Sequence, residues 1–286
     1  MNASDQNPSA RLTRLEIEVP GTPDQVWEAI ATGAGIGGWM FPTDIEPREG
    51  GAMTIHRAPY GGDAPATVTA FQPPHRFAYE EAMGGPEDGS APWATEFLVE
   101  ARAGGSCVVR LVSGFYEHGE AWEDMVEGAG EGWRGALTIL RAYLRHFAGR
   151  PATMLDATGN TGEPLADRSK VSRALLGALA LDGLKAGDPC RAPADAPELS
   201  GVVEEGALFD GGGQPAEEHG VLLRSQEPAP GLFEISTFSM DGQTVTVNVS
   251  AHLYGPDRAA VVEREQPKWQ AWLEQHFPGL SPTLPG

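Results

Sequence analysis

Three side chains in the first half of the chain, Glu81, His56 and Ser113, have the chemistry to transfer a proton or to attack a substrate. Glu81 alternates with Phe77 and Tyr79 along a predicted strand, so it shares a face with aromatic neighbours. A carboxylate in apolar surroundings has a raised pKa and can act as an acid or a base near neutrality. We therefore take Glu81 as the first catalytic candidate, with His56 and Ser113 as secondary ones.

The neighbouring predicted strands repeat this mixture of apolar and polar side chains on one face. Trp93, Thr95 and Phe97 alternate along one strand, and Leu111 and Ser113 alternate along the next. An unpartnered buried hydroxyl costs roughly 1–3 kcal/mol, so a plain hydrophobic core disfavours such groups. Either this face borders a wet cavity, or each polar group lies at a strand end or is hydrogen-bonded locally. The sequence leaves both alternatives open.

A long helix is predicted to cover this face of the sheet. Between residues 120 and 147 the apolar residues recur at steps of three and four, the pattern of one apolar stripe on a helix. Such a stripe after a run of strands packs on their sheet. Glycines 128, 130, 132 and 135 each cost about 1 kcal/mol in a helix, which predicts a break near 128–132. The preceding elements are a helix opened by Thr22-Pro23-Asp24 and an antiparallel meander with strands at 11–19, 51–57, 66–71, 76–83, 93–101 and 106–115.

Composition narrows the possible partners and the compartment. The 286 residues allow one large domain or two of ordinary size. With 40 acidic and 20 basic residues the net charge is −20, which disfavours nucleic acid and anionic membranes as partners. The 2 cysteines form no disulfide framework and indicate a reducing compartment. The N-terminus has no signal-peptide pattern and no apolar run reaches membrane-spanning length, so we expect a cytoplasmic protein.

Motifs for cofactors and metals are weak. The segment at 33–38 contains the spacing GxGxxG, at Gly33, Gly35 and Gly38. A dinucleotide site needs a strand before these glycines and a helix after them, whereas here a predicted helix precedes and strands follow. The histidines show no metal-ligand spacing, and the acidic residues at 117–127 fit the positive end of the helix dipole. The sequence therefore predicts no cofactor and no metal.

The sequence of the second half predicts a domain that is a shortened copy of the first. Residues 151–167 have the composition of a linker, and a helix is predicted at 172–184. Predicted strands follow at 201–209, 220–226, 232–240 and 244–254, with a final helix to about 277. The helix ends at 142–149 (AYLRHFAG) and 271–279 (AWLEQHFPG) are similar. We predict a duplication with domains at 11–150 and 165–280, in which the second copy lacks the first strand.

Several residues of the first half resemble a known family. The following features are similar to the SRPBCC (START, Bet v 1-like) superfamily: the order of elements, Trp39 after the glycine-rich segment, the Gly50-Gly51 pair, Ser113-Gly114-Phe115 and Gly132-Trp133. The branch resembled is the C-terminal domain of activators of the heat-shock-protein ATPase. The resemblance covers about residues 11–148. It implies an α+β helix-grip fold, in which a curved antiparallel sheet wraps a long C-terminal helix around a ligand cavity.

The resemblance also implies a function. The leading hypothesis is a protein that binds a small hydrophobic or aromatic molecule, polyketide-like or lipid-like, in that cavity and catalyses no reaction. Residues expected to contact this ligand are Trp39, Phe77, Tyr79, Trp93, Thr95, Phe97, Leu111, Trp133, Leu137 and Arg141. One alternative is a polyketide cyclase-like or hydrolase-like enzyme that uses Glu81. The other is a co-chaperone that activates a heat-shock ATPase.

Overall fold

A computed structural model describes residues 11–82, 92–115, 123–205 and 219–280. The chain divides into two compact units. The first comprises Met1–Ala58 and Gly62–Gly149, and the second comprises Pro59–Gly61 and Arg150–Gly286. The predicted helix start at 120–122 and the predicted strand end at 206–209 lie outside the described residues.

The first unit is built on a seven-stranded antiparallel sheet with the strand order β1-β7-β6-β5-β4-β3-β2. Strands β2 to β7 neighbour one another in chain order, as in a meander, and β1 pairs with β7. Its strands are β1 (Arg11–Pro20), β2 (Thr43–Ile45), β3 (Ala52–His56), β4 (Asp63–Gln72), β5 (Arg76–Glu81), β6 (Trp93–Arg102) and β7 (Ser106–Phe115).

Two short helices connect β1 to β2. Helix α1 (Pro23–Ala31) begins where predicted, because Thr22 and Gln25 form a reciprocal cap. The Gln25 backbone N–H donates to the Thr22 hydroxyl at 3.3 Å, and the Thr22 N–H donates to the Gln25 side chain at 2.9 Å. Helix α2 (Gly33–Ile36) is a single turn within the glycine-rich segment. The next element is the strand β2, so these glycines do not open a long helix of the kind that a dinucleotide site needs.

Helix α3 (Glu123–His146) is continuous over 24 residues, so the predicted break near 128–132 is wrong. Tertiary packing offsets the low helix propensity of glycine here. Gly130 is buried, and a Cβ atom at this position would lie 3.0 Å from the Thr13 hydroxyl oxygen of β1. Glycine therefore permits a close approach of helix and strand. Leu137, Leu140 and Leu144 of the predicted apolar stripe are buried.

The second unit repeats this plan with a six-stranded antiparallel sheet, in the order β8-β13-β12-β11-β10-β9. Its strands are β8 (Thr153–Pro164), β9 (Pro189–Arg191), β10 (Ser200–Glu205), β11 (Gly220–Glu227), β12 (Gly231–Phe238) and β13 (Thr244–Leu253). Helix α4 (Arg168–Ala178) follows the first strand, and helix α5 (Arg258–His276) ends the unit. The predicted tandem α+β architecture is confirmed.

One segment of the second unit differs from its predicted role. Residues 153–164 were expected to form a linker, but they form β8, which pairs with β13 along nearly its whole length. Leu155 and Ala157 of β8 are buried in the hydrophobic core with Trp269 and Leu273 of α5. The second copy therefore has its own first strand, and its compact unit includes the chain from Arg150 onward rather than from 165.

Among the helices that the structure describes, none combines the length and the apolar character needed to cross a membrane.

Candidate ligand site

A row of polar side chains crosses the helix-facing side of the first sheet. The strand register places Tyr79 opposite Thr95, and Thr95 opposite Ser113. All three residues are buried. The Ser113 hydroxyl oxygen accepts hydrogen bonds from Trp93 Nε1 at 2.8 Å and from Trp133 Nε1 at 3.1 Å. It also lies 2.8 Å from the Thr95 hydroxyl oxygen. Thr95 and Ser113 are thus satisfied locally, and in the part of the chain that the structure describes, Ser113 hydrogen bonds to no basic side chain that would make it a nucleophile.

The hydrogen bond between Ser113 and Thr95 has a definite direction. Two indole N–H groups occupy both lone pairs of the Ser113 oxygen, so the Ser113 hydrogen goes to Thr95. Thr95 also hydrogen bonds to the Tyr79 hydroxyl, a contact that lowers the pKa of Tyr79, whereas burial and the charge of Glu81 raise this pKa. The Tyr79 hydroxyl is therefore the far end of the row.

Tyr79 also lines a void in the apolar part of the core. The volume of this void is about 10 Å³, enough for about one water molecule. Trp39 is fixed at this void by a hydrogen bond from its Nε1 to the Ala29 carbonyl, at 2.9 Å. The void is lined by ten residues from α1, α2, the connection to β2, and strands β2, β3, β5 and β6: Ile30, Ile36, Trp39, Met40, Thr43, Met53, Ile55, Phe77, Tyr79 and Phe97.

Glu81 lies two residues beyond Tyr79 on the same face of β5 and is only 2 % exposed. Its carboxylate forms a short ion pair with the Arg57 guanidinium, which is about one-third exposed. Burial raises the pKa of Glu81, and Arg57 partly offsets this effect. The candidate acid or base is therefore held by a cation from the connection between β3 and β4. Sequence reasoning missed Arg57, because no local pattern shows which carboxylate a connecting segment will reach.

His56 lies elsewhere. Ile55 of the same strand lines the void, so the adjacent His56 points to the opposite face of the sheet. Its ring nitrogens contact Asp63 at 2.9 Å and Asp44 at 3.1 Å, and these two carboxylates raise its pKa. The structure therefore does not bring His56 together with Glu81 or Ser113. In the described ranges, no three His, Cys, Asp or Glu side chains are grouped to hold a metal ion.

The ten predicted ligand residues fall into three groups. Trp39, Phe77, Tyr79 and Phe97 line the void. Trp93, Thr95 and Trp133 surround Ser113, and Trp133 contacts Phe97 with ring centroids 5.7 Å apart. Leu111 and Leu137 are buried core residues, and Arg141 is half-buried on α3.

Comparison with known proteins agrees with this fold. Residues 20–145 match the family model described as activator of Hsp90 ATPase homolog 1-like protein, which confirms the resemblance predicted for the first half. No curated protein matches the chain.

Among solved structures, protein MLL2253 from Mesorhizobium loti is 19% identical, with a TM-score of 0.43, over 48% of this chain and 98% of that one. DynU16, from the dynemicin biosynthetic locus, is 16% identical, with a TM-score of 0.42, over 93% of this chain and 98% of that one. BexL, a di-domain ARO/CYC from the BE-7585A biosynthetic pathway, is 16% identical, with a TM-score of 0.42, over 94% and 99%.

Proposed function

We propose that the first unit binds one small, largely apolar or aromatic molecule at the void beside Tyr79. The observation that carries the proposal is the void itself, whose wall is made mostly of apolar and aromatic side chains and includes the buried Tyr79. A hydroxyl group can both donate and accept, so the Tyr79 hydroxyl can bind a polar atom of the ligand, such as a ketone or phenol oxygen, in addition to Thr95. Phe77, Phe97 and Trp39 supply flat apolar contacts for the ring system.

Binding at this site requires the surrounding side chains to move. Pockets for drug-sized ligands have volumes of about 300–1,000 Å³, whereas this void has a volume of about 10 Å³. Two of the lining residues, Met40 and Met53, are methionines, whose unbranched side chains adapt readily to a changed cavity shape. We therefore propose that the ligand enlarges the void by displacing these methionines, which makes binding an induced fit.

Filling the void should abolish binding. We expect Met53→Phe, which adds a bulky ring at the wall of the void, to weaken binding of prodan, an uncharged naphthyl ketone, by at least about tenfold. Tyr79→Phe should weaken it by a smaller factor, about 2–10-fold, because a single hydrogen bond is worth roughly 0.5–1.5 kcal/mol. Fluorescence titration of the full chain measures both effects.

The matched control for this experiment is Met240→Phe, the same replacement at an exposed methionine of the second unit. It should leave prodan affinity unchanged. Circular dichroism shows whether each variant is folded. Equal affinity in folded Met53→Phe and Met240→Phe would contradict the proposed site.

A second candidate function, an enzyme of the cyclase or hydrolase type, is favoured by one observation. Burial raises the pKa of Glu81, as a proton-transferring carboxyl group near neutrality requires. The ion pair with Arg57 makes a structural role equally consistent with this pKa, so we rank the enzyme second. Activation of a heat-shock ATPase has the support of the matched family's description alone, and we rank it third.

A further inference from the structure

The wall of the void includes the edge of the first sheet. Trp39, Met40 and Thr43 line the void from the connection after α2 and from β2. We name residues 39–45 the wall segment. Strand β2 within it has only 3 residues, lies at the edge of the sheet and pairs with β3 alone. Because segments with few contacts open at low free energy, a ligand that enlarges the void meets the least resistance here.

A histidine on the outer face of the sheet links the edge strand to the two strands beside it. The Nε2 atom of His56, a residue of β3, lies 3.1 Å from a carboxylate oxygen of Asp44 in β2. Its Nδ1 atom lies 2.9 Å from a carboxylate oxygen of Asp63 in β4. On the inner face, the adjacent residues Thr43 and Ile55 pair across β2 and β3 and line the void. The His56 ring therefore holds the wall segment to the rest of the sheet.

Counting hydrogens shows that both contacts form together only when the imidazole is protonated. Asp44 and Asp63 are exposed, and a carboxylate that is ionised near neutrality only accepts. Neutral imidazole has one N–H group, and its other ring nitrogen is an acceptor, whereas both nitrogens of the imidazolium ion donate. Turning the ring over adds no N–H group. Neutral His56 therefore keeps a hydrogen bond to one aspartate and loses the other.

We propose that the link from His56 to Asp44 and Asp63 regulates exchange of the ligand: protonated His56 holds the wall segment closed, and loss of its proton to solvent lets this segment open more often. The inference rests on the function proposed above, because it assigns a regulation to the same site. A bound molecule is then retained at mildly acidic pH and exchanges faster at mildly basic pH.

The electrostatic surroundings agree with the hydrogen count. The hydrogen bonds to Asp63 and Asp44 raise the pKa of His56 above its ordinary value of 6.5. Because this pKa is higher in the folded protein than in the unfolded chain, the link is complete below about pH 6.5 and is lost as the pH rises through the raised pKa. The side chain of His56 is 38% exposed, so its proton exchanges directly with solvent.

The other charged groups near these strands are engaged with each other. Glu46, just after β2, pairs with Arg48 at 2.7 Å, and Arg57, just after β3, pairs with Glu81. Neither pair contributes to the shift in the pKa of His56. Solvent screens the exposed link, so its loss changes an equilibrium by a factor of only about 2–5. For a short edge strand this factor acts directly on the fraction of open molecules and hence on the exchange rate.

Hydrogen exchange of the full chain, followed by mass spectrometry of peptides that cover the wall segment, tests the link without a ligand. Protection factors, which correct for the intrinsic pH dependence of exchange, should fall about 2–5-fold in the wild type between about pH 5.5 and about pH 8.5. In His56→Gln they should not fall, because an amide does not titrate. Asp44→Asn should also keep its protection at about pH 8.5, because the new amide group can donate to the neutral imidazole.

The matched control is His75→Gln, the same replacement at an exposed histidine between β4 and β5. Its protection should fall with pH as in the wild type. Wild-type protection that does not change with pH would overturn the proposal. A folded His56→Gln that keeps the change, or an Asp44→Asn that loses protection as the wild type does, would overturn it as well.

Stopped-flow displacement of bound prodan tests the effect on the ligand. The ratio of the displacement rates at about pH 8.5 and about pH 5.5 should be about 2–5-fold larger in the wild type and in His75→Gln than in His56→Gln. Any effect of Glu81 is common to all samples and cancels. Equal ratios would overturn the regulation and leave the ligand site intact. A wild type that binds no prodan would instead contradict the proposed function, whereas hydrogen exchange would still decide whether the link exists.

Discussion

Replacing Ser113 by alanine is expected to destabilise the first unit by roughly 2–6 kcal/mol. The substitution removes the oxygen that accepts from both Trp93 Nε1 and Trp133 Nε1 in a buried environment. Each buried donor left without a partner costs about 1–3 kcal/mol, and two are lost together. Urea unfolding of the full chain, followed by near-ultraviolet circular dichroism of the tryptophans, measures the loss. The control is Ser106→Ala, at the other end of the same strand, where the hydroxyl bonds to Glu18 in an exposed setting.

A double-mutant cycle identifies the cause of this effect. In a Trp133→Phe background, one of the two indole donors is already absent, so Ser113→Ala should cost about 1–3 kcal/mol less than in the wild type. Ser106→Ala should stay within about 0.5 kcal/mol in either background. If Ser113→Ala cost no more than Ser106→Ala, the row of directed hydrogen bonds that ends at Tyr79 would be wrong.

Replacing Arg57 by methionine is expected to destabilise the first unit by about 3–5 kcal/mol at pH about 8, because it leaves the buried Glu81 carboxylate without its cation. The loss should be smaller at pH about 5. Burial already raises the pKa of Glu81 above its ordinary value of 4.5, and removal of Arg57 abolishes the two effects that lower it. The folded variant therefore keeps the Glu81 proton to a higher pH than the unfolded chain does, and stability declines as the pH rises through this interval.

The control for this prediction is Arg110→Met. Arg110 pairs with Glu16 and Glu100, but on an exposed part of the sheet, where solvent screens an ion pair and its contribution to stability is small. The two variants are compared by their unfolding midpoints, measured for each variant at both pH values. An Arg57→Met loss that is small and independent of pH would show that Glu81 does not depend on Arg57 in the folded protein.

The faces of the strands could be predicted from the sequence because alternation is a local property. The alternation of apolar and polar residues predicts that Tyr79 and Glu81 share one face of β5. The strand register places Tyr79 opposite Thr95, and Thr95 opposite Ser113, so these three side chains share that face. The sequence left open whether the polar groups meet water or each other. That choice depends on how two tryptophan side chains from different elements converge on Ser113, which spacing along the chain does not determine.

Three features escaped prediction because tertiary contacts override local propensity. Residues 153–164 contain glycine, asparagine and proline, yet pairing with β13 and burial of Leu155 make them a strand. The glycines in α3 predicted a break in the helix, but Gly130 instead allows α3 to pack closely against Thr13 of β1. Arg57 reaches Glu81 from 24 positions away in the chain, in a segment without periodicity.

The central claim, that the first unit accommodates a small apolar molecule beside Tyr79, is tested most directly by native mass spectrometry of the full chain purified from its natural host. The proposal predicts one organic adduct per chain in the wild type, and its loss in Met53→Phe, which fills the void. A wild type that carries no adduct, or an adduct retained equally by Met53→Phe, would contradict it.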